Sequence, residues 1–219
     1  MSIILPSLER AYSGNDQFTL ETPEIRLGDQ GYTCVIGRNG SGKSSFGEAL
    51  AEQSKSSGDV KWYYLPQYLE RFLFAENIVA QLESLLSQDL ELNRLTKLMR
   101  DMGVSDPEGF LEFPFLLMSG GERRRMALVC AFYVQPKFLI LDEPDIGITA
   151  KENMVLLSKI NNLQVEKSKV ILISHNYEFV KGASDLIGLE GGRVKRAGKF
   201  QELLADQKFE IKEYGVRFQ

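Results

Sequence analysis

The sequence predicts an α/β fold in which a mostly parallel sheet is covered by helices. Three observations predict it. A continuous apolar run, residues 32–36, ends in a glycine-rich loop that opens a helix. A second apolar run, residues 138–141, ends in two adjacent carboxylates, and strand-like and helix-like stretches alternate along most of the chain.

Residues 18–20 and 24–27 alternate as short strands do, and 32–36 reads as a strand buried on both faces. After the loop, Phe46, Ala49 and Leu50 recur at helical spacing from Ser44 onward. Residues 60–65 form another strand, stopped by Pro66. Beyond Gln67 the character changes: Leu82, Leu85, Leu86, Leu92, Leu95, Leu98 and Met99 predict a mostly helical segment over 76–103. Gly103, Pro107 and the run Phe113-Pro114-Phe115 end it. A helix over 120–134, a strand over 138–141, a helix over 150–163, a strand over 170–174, a short helix from Tyr177 and a hairpin over 186–194 complete the alternation.

A chain of 219 residues suits one compound domain. The expected division is a β core from residues 1–66 and 135–219, with 68–134 a mainly helical subdomain. Hydrophobic residues make up 43% and charged residues 26%, a globular rather than disordered composition. Lys and Arg number 26 against 30 Asp and Glu, a net charge of -4, so no basic field holds nucleic acid or anionic lipid, and no nucleic-acid partner is expected. Cys34 and Cys130 lie among apolar neighbours and read as buried, reduced thiols. The start lacks a basic leader, and no apolar run approaches ~18 residues, which predicts a cytoplasmic, non-spanning protein.

Gly37-Arg38-Asn39-Gly40-Ser41-Gly42-Lys43-Ser44 fits the phosphate-binding pattern Gly-x4-Gly-Lys-Ser. Small residues let successive backbone N–H groups point at phosphate oxygens, and the following helix, where Ser45 sits, adds the partial positive charge of its N-terminus. Lys43 is expected to reach the β and γ phosphates of ATP, and Ser44 to place its hydroxyl on Mg2+. The apolar strand before Asp142-Glu143 delivers both carboxylates to a strand C-terminus, where parallel sheets bind ligands. Asp142 suits the metal, directly or through water, and Glu143 suits polarisation of the attacking water.

Leu117-Met118-Ser119-Gly120-Gly121-Glu122-Arg123 stands just before the helix that precedes this strand. It resembles the Leu-Ser-Gly-Gly-Gln signature of the ATP-binding cassette (ABC) ATPases, with Met118 and Glu122 departing conservatively. Other elements that resemble the family follow in order: Gln67 its glutamine loop, His175 its switch histidine, and residues 185–198 its closing hairpin. Tyr12, 25 residues before Gly37, resembles the aromatic residue that stacks on adenine. The resemblance implies a P-loop NTPase core with a mixed, largely parallel sheet, a small antiparallel β region and a helical subdomain. It also implies catalytic roles for Glu143, His175 and Gln67, with Ser44, Gln67 and Asp142 around the metal. Ser119, Gly120, Gly121 and Glu122 would contact the γ phosphate held by a second cassette, again a helix N-terminus meeting an anion.

Two departures from the family stand out. Thr149 occupies the place of an interface aspartate, and the short interval between Lys43 and Gln67, through Ser57-Gly58-Asp59-Val60, trims one antiparallel excursion. Arg123-Arg124-Arg125 reads as a solvated helix face or as a site for a phosphate or an acidic partner. Ala75-Glu76-Asn77-Ile78 resembles the stretch where transporter cassettes meet a membrane subunit, and equally suits a plain helix start. The leading expectation is the ATP-hydrolysing subunit of a membrane transporter, paired with a second cassette and held on the inner face of the membrane by a transmembrane partner. The alternative is a soluble clamp acting on a ribosome, nucleic acid or protein. A switch that holds nucleotide without hydrolysing it is disfavoured, because the hydrolytic residues are all present.

Overall fold

The computed structural model describes residues 3–12, 18–28, 30–52, 62–70, 72–86, 89–165 and 168–218. Two short strands, β1 (Ile3–Leu5) and β4 (Ile25–Leu27), pair antiparallel. The remaining strands are β2 (Leu8–Tyr12), β3 (Phe18–Thr22), β5 (Thr33–Ile36), β6 (Trp62–Leu65), β7 (Phe138–Asp142), β8 (Lys169–Ile173), β9 (Asp185–Glu190) and β10 (Arg193–Lys199). They form one sheet in the order β2-β3-β10-β9-β5-β8-β7-β6. From β9 to β6 every neighbouring pair is parallel, while β2 with β3 and β9 with β10 are antiparallel.

The central parallel strands β5, β7 and β8 are mostly apolar and buried because helices cover both faces. On one face α1 (Lys43–Glu52) sets Phe46 and Leu50 against Val35, Ile140 and Ile171. On the other, α5 (Gly120–Val134), α6 (Ala150–Val165) and α7 (Tyr177–Lys181) pack on Cys34, Leu139, Leu141 and Leu172. Strand neighbours such as Leu139 and Ile140 therefore go to opposite layers, as the period of two requires. Both cysteines are buried and free.

Between β6 and α5 lie α2 (Ile78–Leu85), α3 (Leu92–Asp101) and the short α4 (Pro107–Phe110). The mostly helical segment expected over 76–103 consists of two helices, α2 and α3. Asn77 caps α2 by accepting from Ala80 N at 3.0 Å, and Leu86 leaves the helix with φ -117 and ψ 136. One unbroken helix over that span would be about 42 Å long. Broken, it lets Leu82, Leu95 and Met99 enter the same buried cluster against α5. Strands β1 and β2, and the segment after β10 that holds α8 (Phe200–Ala205) and a 3-10 turn at Ile211–Tyr214, were not legible in the sequence. Residues 57–60, part of the trimmed excursion, lie outside the described residues. No helix among the described residues is long and apolar enough to cross a membrane.

Candidate active site

Four neighbouring parallel strands end at one edge and deliver the expected residues together. β5 runs into the glycine loop, β6 into Pro66-Gln67, β7 into Asp142-Glu143 and β8 into Ser174-His175. A cleft of about 490 Å³ opens there, lined by Asn39, Gly40, Lys43, Ser44, Gln67, Glu143 and His175 among others.

The loop is held open by its own backbone. Ser41 N donates to Arg38 O at 3.0 Å, and Gly192 N from the closing hairpin donates to Ser41 O at 2.9 Å. Gly42 has φ +99, and a Cβ there would come within 2.7 Å of Phe18 Cζ, so both conformation and space require glycine. Lys43 Nζ donates to the carbonyls of Gly37 at 2.8 Å and Arg38 at 3.2 Å. Burial lowers the Lys43 ammonium from its ordinary range, with Glu143 and Asp142 opposing that shift.

Asp142 is buried at the strand end, where Tyr64 Oη donates to its Oδ2 at 2.9 Å. Burial pushes its carboxyl above the ordinary range, partly offset by hydrogen bonds from Ser44 and Tyr64. Its Oδ1 is buried without a hydrogen-bond partner among the described residues. A buried carboxylate oxygen in want of charge, next to the Ser44 hydroxyl, is a hard oxygen donor set that fits a divalent cation of the magnesium type.

Glu143 has φ 45, a left-handed conformation that costs roughly 1–3 kcal/mol for a residue other than glycine. Its surroundings hold it there. Glu143 N donates to Ile173 O at 2.9 Å, and the Arg124 guanidinium donates to the Glu143 carbonyl. Gln67 Nε2 donates to Glu143 Oε2 at 3.0 Å, and His175 Nε2 stands 3.3 Å from Glu143 Oε1. The strain aims the carboxylate into the cleft. The His175 contact, opposed by partial burial and aided by Lys43 and Arg217, holds the Glu143 carboxyl below its ordinary range. On its other side His175 Nδ1 lies 3.1 Å from Gly215 O.

Arg124 corrects the reading of the arginine triplet as a solvated face. Its side chain is buried, and it donates to Pro66 O at 2.9 Å, Gln67 O at 3.3 Å and Asp142 O at 3.1 Å. One guanidinium therefore ties α5 to both the glutamine and the carboxylate loops. Arg125 pairs with Glu152 at 2.8 Å, and Arg123 is exposed. The signal in the sequence was the uninterrupted apolar stretch just after the triplet, which leaves one of three successive helical positions facing inward.

Ser119, Gly120 and Gly121 are outside the cleft that holds Lys43. Ser119 caps α5 by accepting from Glu122 N at 3.3 Å, and Ser119 N donates to Glu122 Oε2 at 2.8 Å. The capping box explains glutamate at 122, since a carboxylate suits the helix N-terminus. Thr149 has a similar local reason. Glu152 N donates to Thr149 Oγ1 at 3.3 Å, and Thr149 N to Glu152 Oε2 at 2.6 Å, closing a second capping box at α6. Tyr12, at the end of β2, donates to Ser45 O at 3.4 Å and has Arg10 over its ring at 4.8 Å, which places it beside α1 rather than on the cleft wall.

The family profile described as ABC transporter matches residues 20–145, more than half of the chain. The chain belongs to the ABC transporter family. An energy-coupling factor transporter ATP-binding protein of Clostridium perfringens is 28% identical, over 94% of this chain and 82% of that protein. A dimeric ATP-binding cassette in a post-hydrolysis state with ADP and Pi superposes with a TM-score of 0.72 at 16% identity, covering 90% of this chain and 99% of the other. The C. perfringens protein cbiO1, part of the ABC transporter complex cbiONQ, gives 0.69 at 20% identity, with 94% and 92% covered. The likeness to these cassettes extends over the fold that brings the ends of β5 to β8 together.

Proposed function

We propose that this chain is the ATP-hydrolysing subunit of a membrane transporter and works as one of a pair of cassettes that ATP closes face to face. The observation that carries this reading is the meeting of Lys43, Glu143, Gln67 and His175 around one cleft, with Asp142 buried behind it at the end of β7.

Residues 37–45 cradle the phosphates with backbone N–H groups, and Lys43 exchanges its loop carbonyls for β and γ oxygens. Tyr12, beside α1, would meet the adenine only beyond the cleft that holds Lys43. Ser44, Asp142 and Gln67 would hold Mg2+, which when bound neutralises charge on the β and γ oxygens. Glu143, kept ionised and pinned by Gln67, orients a water for in-line attack and accepts its proton. His175 presents Nε2 to the γ phosphate and registers its loss.

The N-terminus of α5 at Ser119 to Glu122 faces outward, as a surface that completes a partner's ATP would. The helical region 68–134 carries that surface and a second one that adjoins it at Gly120 and Gly121. A groove of about 520 Å³ runs between the glutamine loop and Phe115-Leu116, near Ala75. Leu116, Leu117, Phe74 and Tyr68 are 89%, 70%, 63% and 71% exposed, respectively. An apolar helix of a transmembrane subunit suits this patch, which would hold the cassette at the inner face of a membrane. Relatives named as transporter subunits support the same partner.

The test is affinity purification of the tagged chain from its native membranes, paired with ATP hydrolysis by the recovered complex. A co-purifying multi-spanning protein and hydrolysis lost in Lys43→Ala are expected. Recovery with ribosomes or a soluble target instead would support the clamp reading.

A further inference from the structure

The segment 211–218 follows the closing hairpin and returns to the ATP cleft, where no sequence motif placed it. Its anchors are specific. Tyr214 lies on Gly188, where even a Cβ would come within 2.5 Å of the ring, and Val216 is buried in the core cluster. Phe218 packs on Tyr177 with ring centroids 4.5 Å apart. Gly215, with φ +75, turns the chain sharply between these anchors.

The same turn ties the segment to two parts of the catalytic edge. Arg38 Nε, in the phosphate loop, donates to Glu213 O at 2.8 Å. Arg217 N donates to His175 O at 2.7 Å and Tyr177 N to Arg217 O at 3.1 Å, so residue 217 forms a bridge with Asn176. The Gly215 carbonyl takes the Nδ1 side of His175, which leaves Nε2 facing Glu143 and the cleft. The backbone of residue 217 is fully used by these contacts. Its side chain is not: the residue is exposed, and it lines the cleft with Lys43, Ser44, Glu143 and His175.

We propose that Arg217 is a further phosphate-contacting residue of this site, brought to the terminal phosphate of ATP in cis by a strap that the fold ties to His175. The inference rests on the reading of the cleft as an ATP site. A guanidinium carried on an anchored backbone, beside the expected place of the γ phosphate, offers two parallel N–H donors to phosphate oxygens. Its charge complements the phosphate that ATP has and ADP lacks, so the strap makes the site selective for the triphosphate. The same charge acts on Glu143, and bound ATP would take it over.

Calorimetric titration of wild type, Arg217→Ala and Arg217→Lys, with Mg2+, against ADP and a non-hydrolysable ATP analogue tests this. In Arg217→Ala the analogue should bind about tenfold more weakly, with ADP affinity within about twofold of wild type, and Arg217→Lys should recover part of the loss. Thermal unfolding of the nucleotide-free variants should match wild type, because the backbone of residue 217, not its side chain, holds the strap. Equal weakening of both nucleotides, or no change in either while wild type binds both, would overturn the proposal. Failure of wild type to bind either nucleotide would instead remove the ATP-site reading and the proposal with it.

Discussion

Arg124 Nη2 donates to the main-chain carbonyl of Asp142 at 3.1 Å, joining the helix that begins at the signature to the strand end that carries both carboxylates. The same guanidinium also bonds Pro66 and Gln67, so three elements of the site share one buried cation.

Arg124→Ala should therefore damage stability and turnover together. It leaves several buried carbonyls without a donor, a loss of about 3 kcal/mol. Arg124→Lys should not rescue, since an ammonium cannot span carbonyls on two loops. Chemical denaturation and steady-state ATP hydrolysis check both variants. Wild-type turnover in a measurably destabilised Arg124→Ala would show that the guanidinium serves the fold alone.

Glu143→Gln should keep ATP binding while turnover falls about 10²–10⁴-fold, as expected for loss of a general base. The carboxyl pKa is depressed in the folded state, so the ionised form adds stability that is present above the unfolded value and is lost as pH falls through the folded one. The stability advantage of wild type over Glu143→Gln should accordingly shrink below the ordinary carboxylate range, as read by denaturation at a series of pH values. An advantage that grows on acidification would contradict the assigned contacts.

Asp142→Asn should raise the unfolding midpoint of the nucleotide-free protein and abolish metal-stimulated hydrolysis. Burial raises this carboxyl pKa, so its folded-state ionisation reduces stability as pH rises from the unfolded value through the folded one, and a neutral isostere escapes that cost. Differential scanning at neutral pH without nucleotide measures it. A lower midpoint for the variant would mean that the ionised group is better satisfied than the unpartnered Oδ1 implies.

Gly121→Ala should fold normally and fail in association. A Cβ at Gly121 would lie 3.7 Å from Gly147 O and 3.8 Å from Arg125 Nη1, ordinary contact distances, and alanine favours a helix over glycine. Nothing among the described residues requires glycine there. If a second cassette brings its ATP against this helix start, the methyl blocks that approach and weakens ATP-dependent dimerisation by about tenfold, the scale of one lost charge-assisted contact. Analytical ultracentrifugation of Gly121→Ala in a Glu143→Gln background with ATP provides the measurement. Dimerisation equal to the parent would remove Gly121 from the interface.

By itself, the sequence determined what local chemistry determines. The loop from Gly37 to Ser44, the strand ending in Asp142-Glu143 and the helix opening at Ser119 each follow from residue types at short spacing, because backbone N–H geometry, helix capping and strand burial act over a few residues. The tertiary structure decided what depends on residues far apart meeting. Arg124 looked like one member of an exposed triplet until packing of α5 turned it inward. The leucines of 76–103 show the same periodicity in one helix or two, and only the need to reach a common core breaks the run at Leu86. Thr149 departs from the family for a reason visible only beside Glu152. Arg217 carries no motif at all, and its place in the cleft depends on Val216, Tyr214 and Gly215 anchoring a strap against strands more than twenty residues earlier. Long-range placement of this kind depends on burial and excluded volume, which no short window of sequence contains.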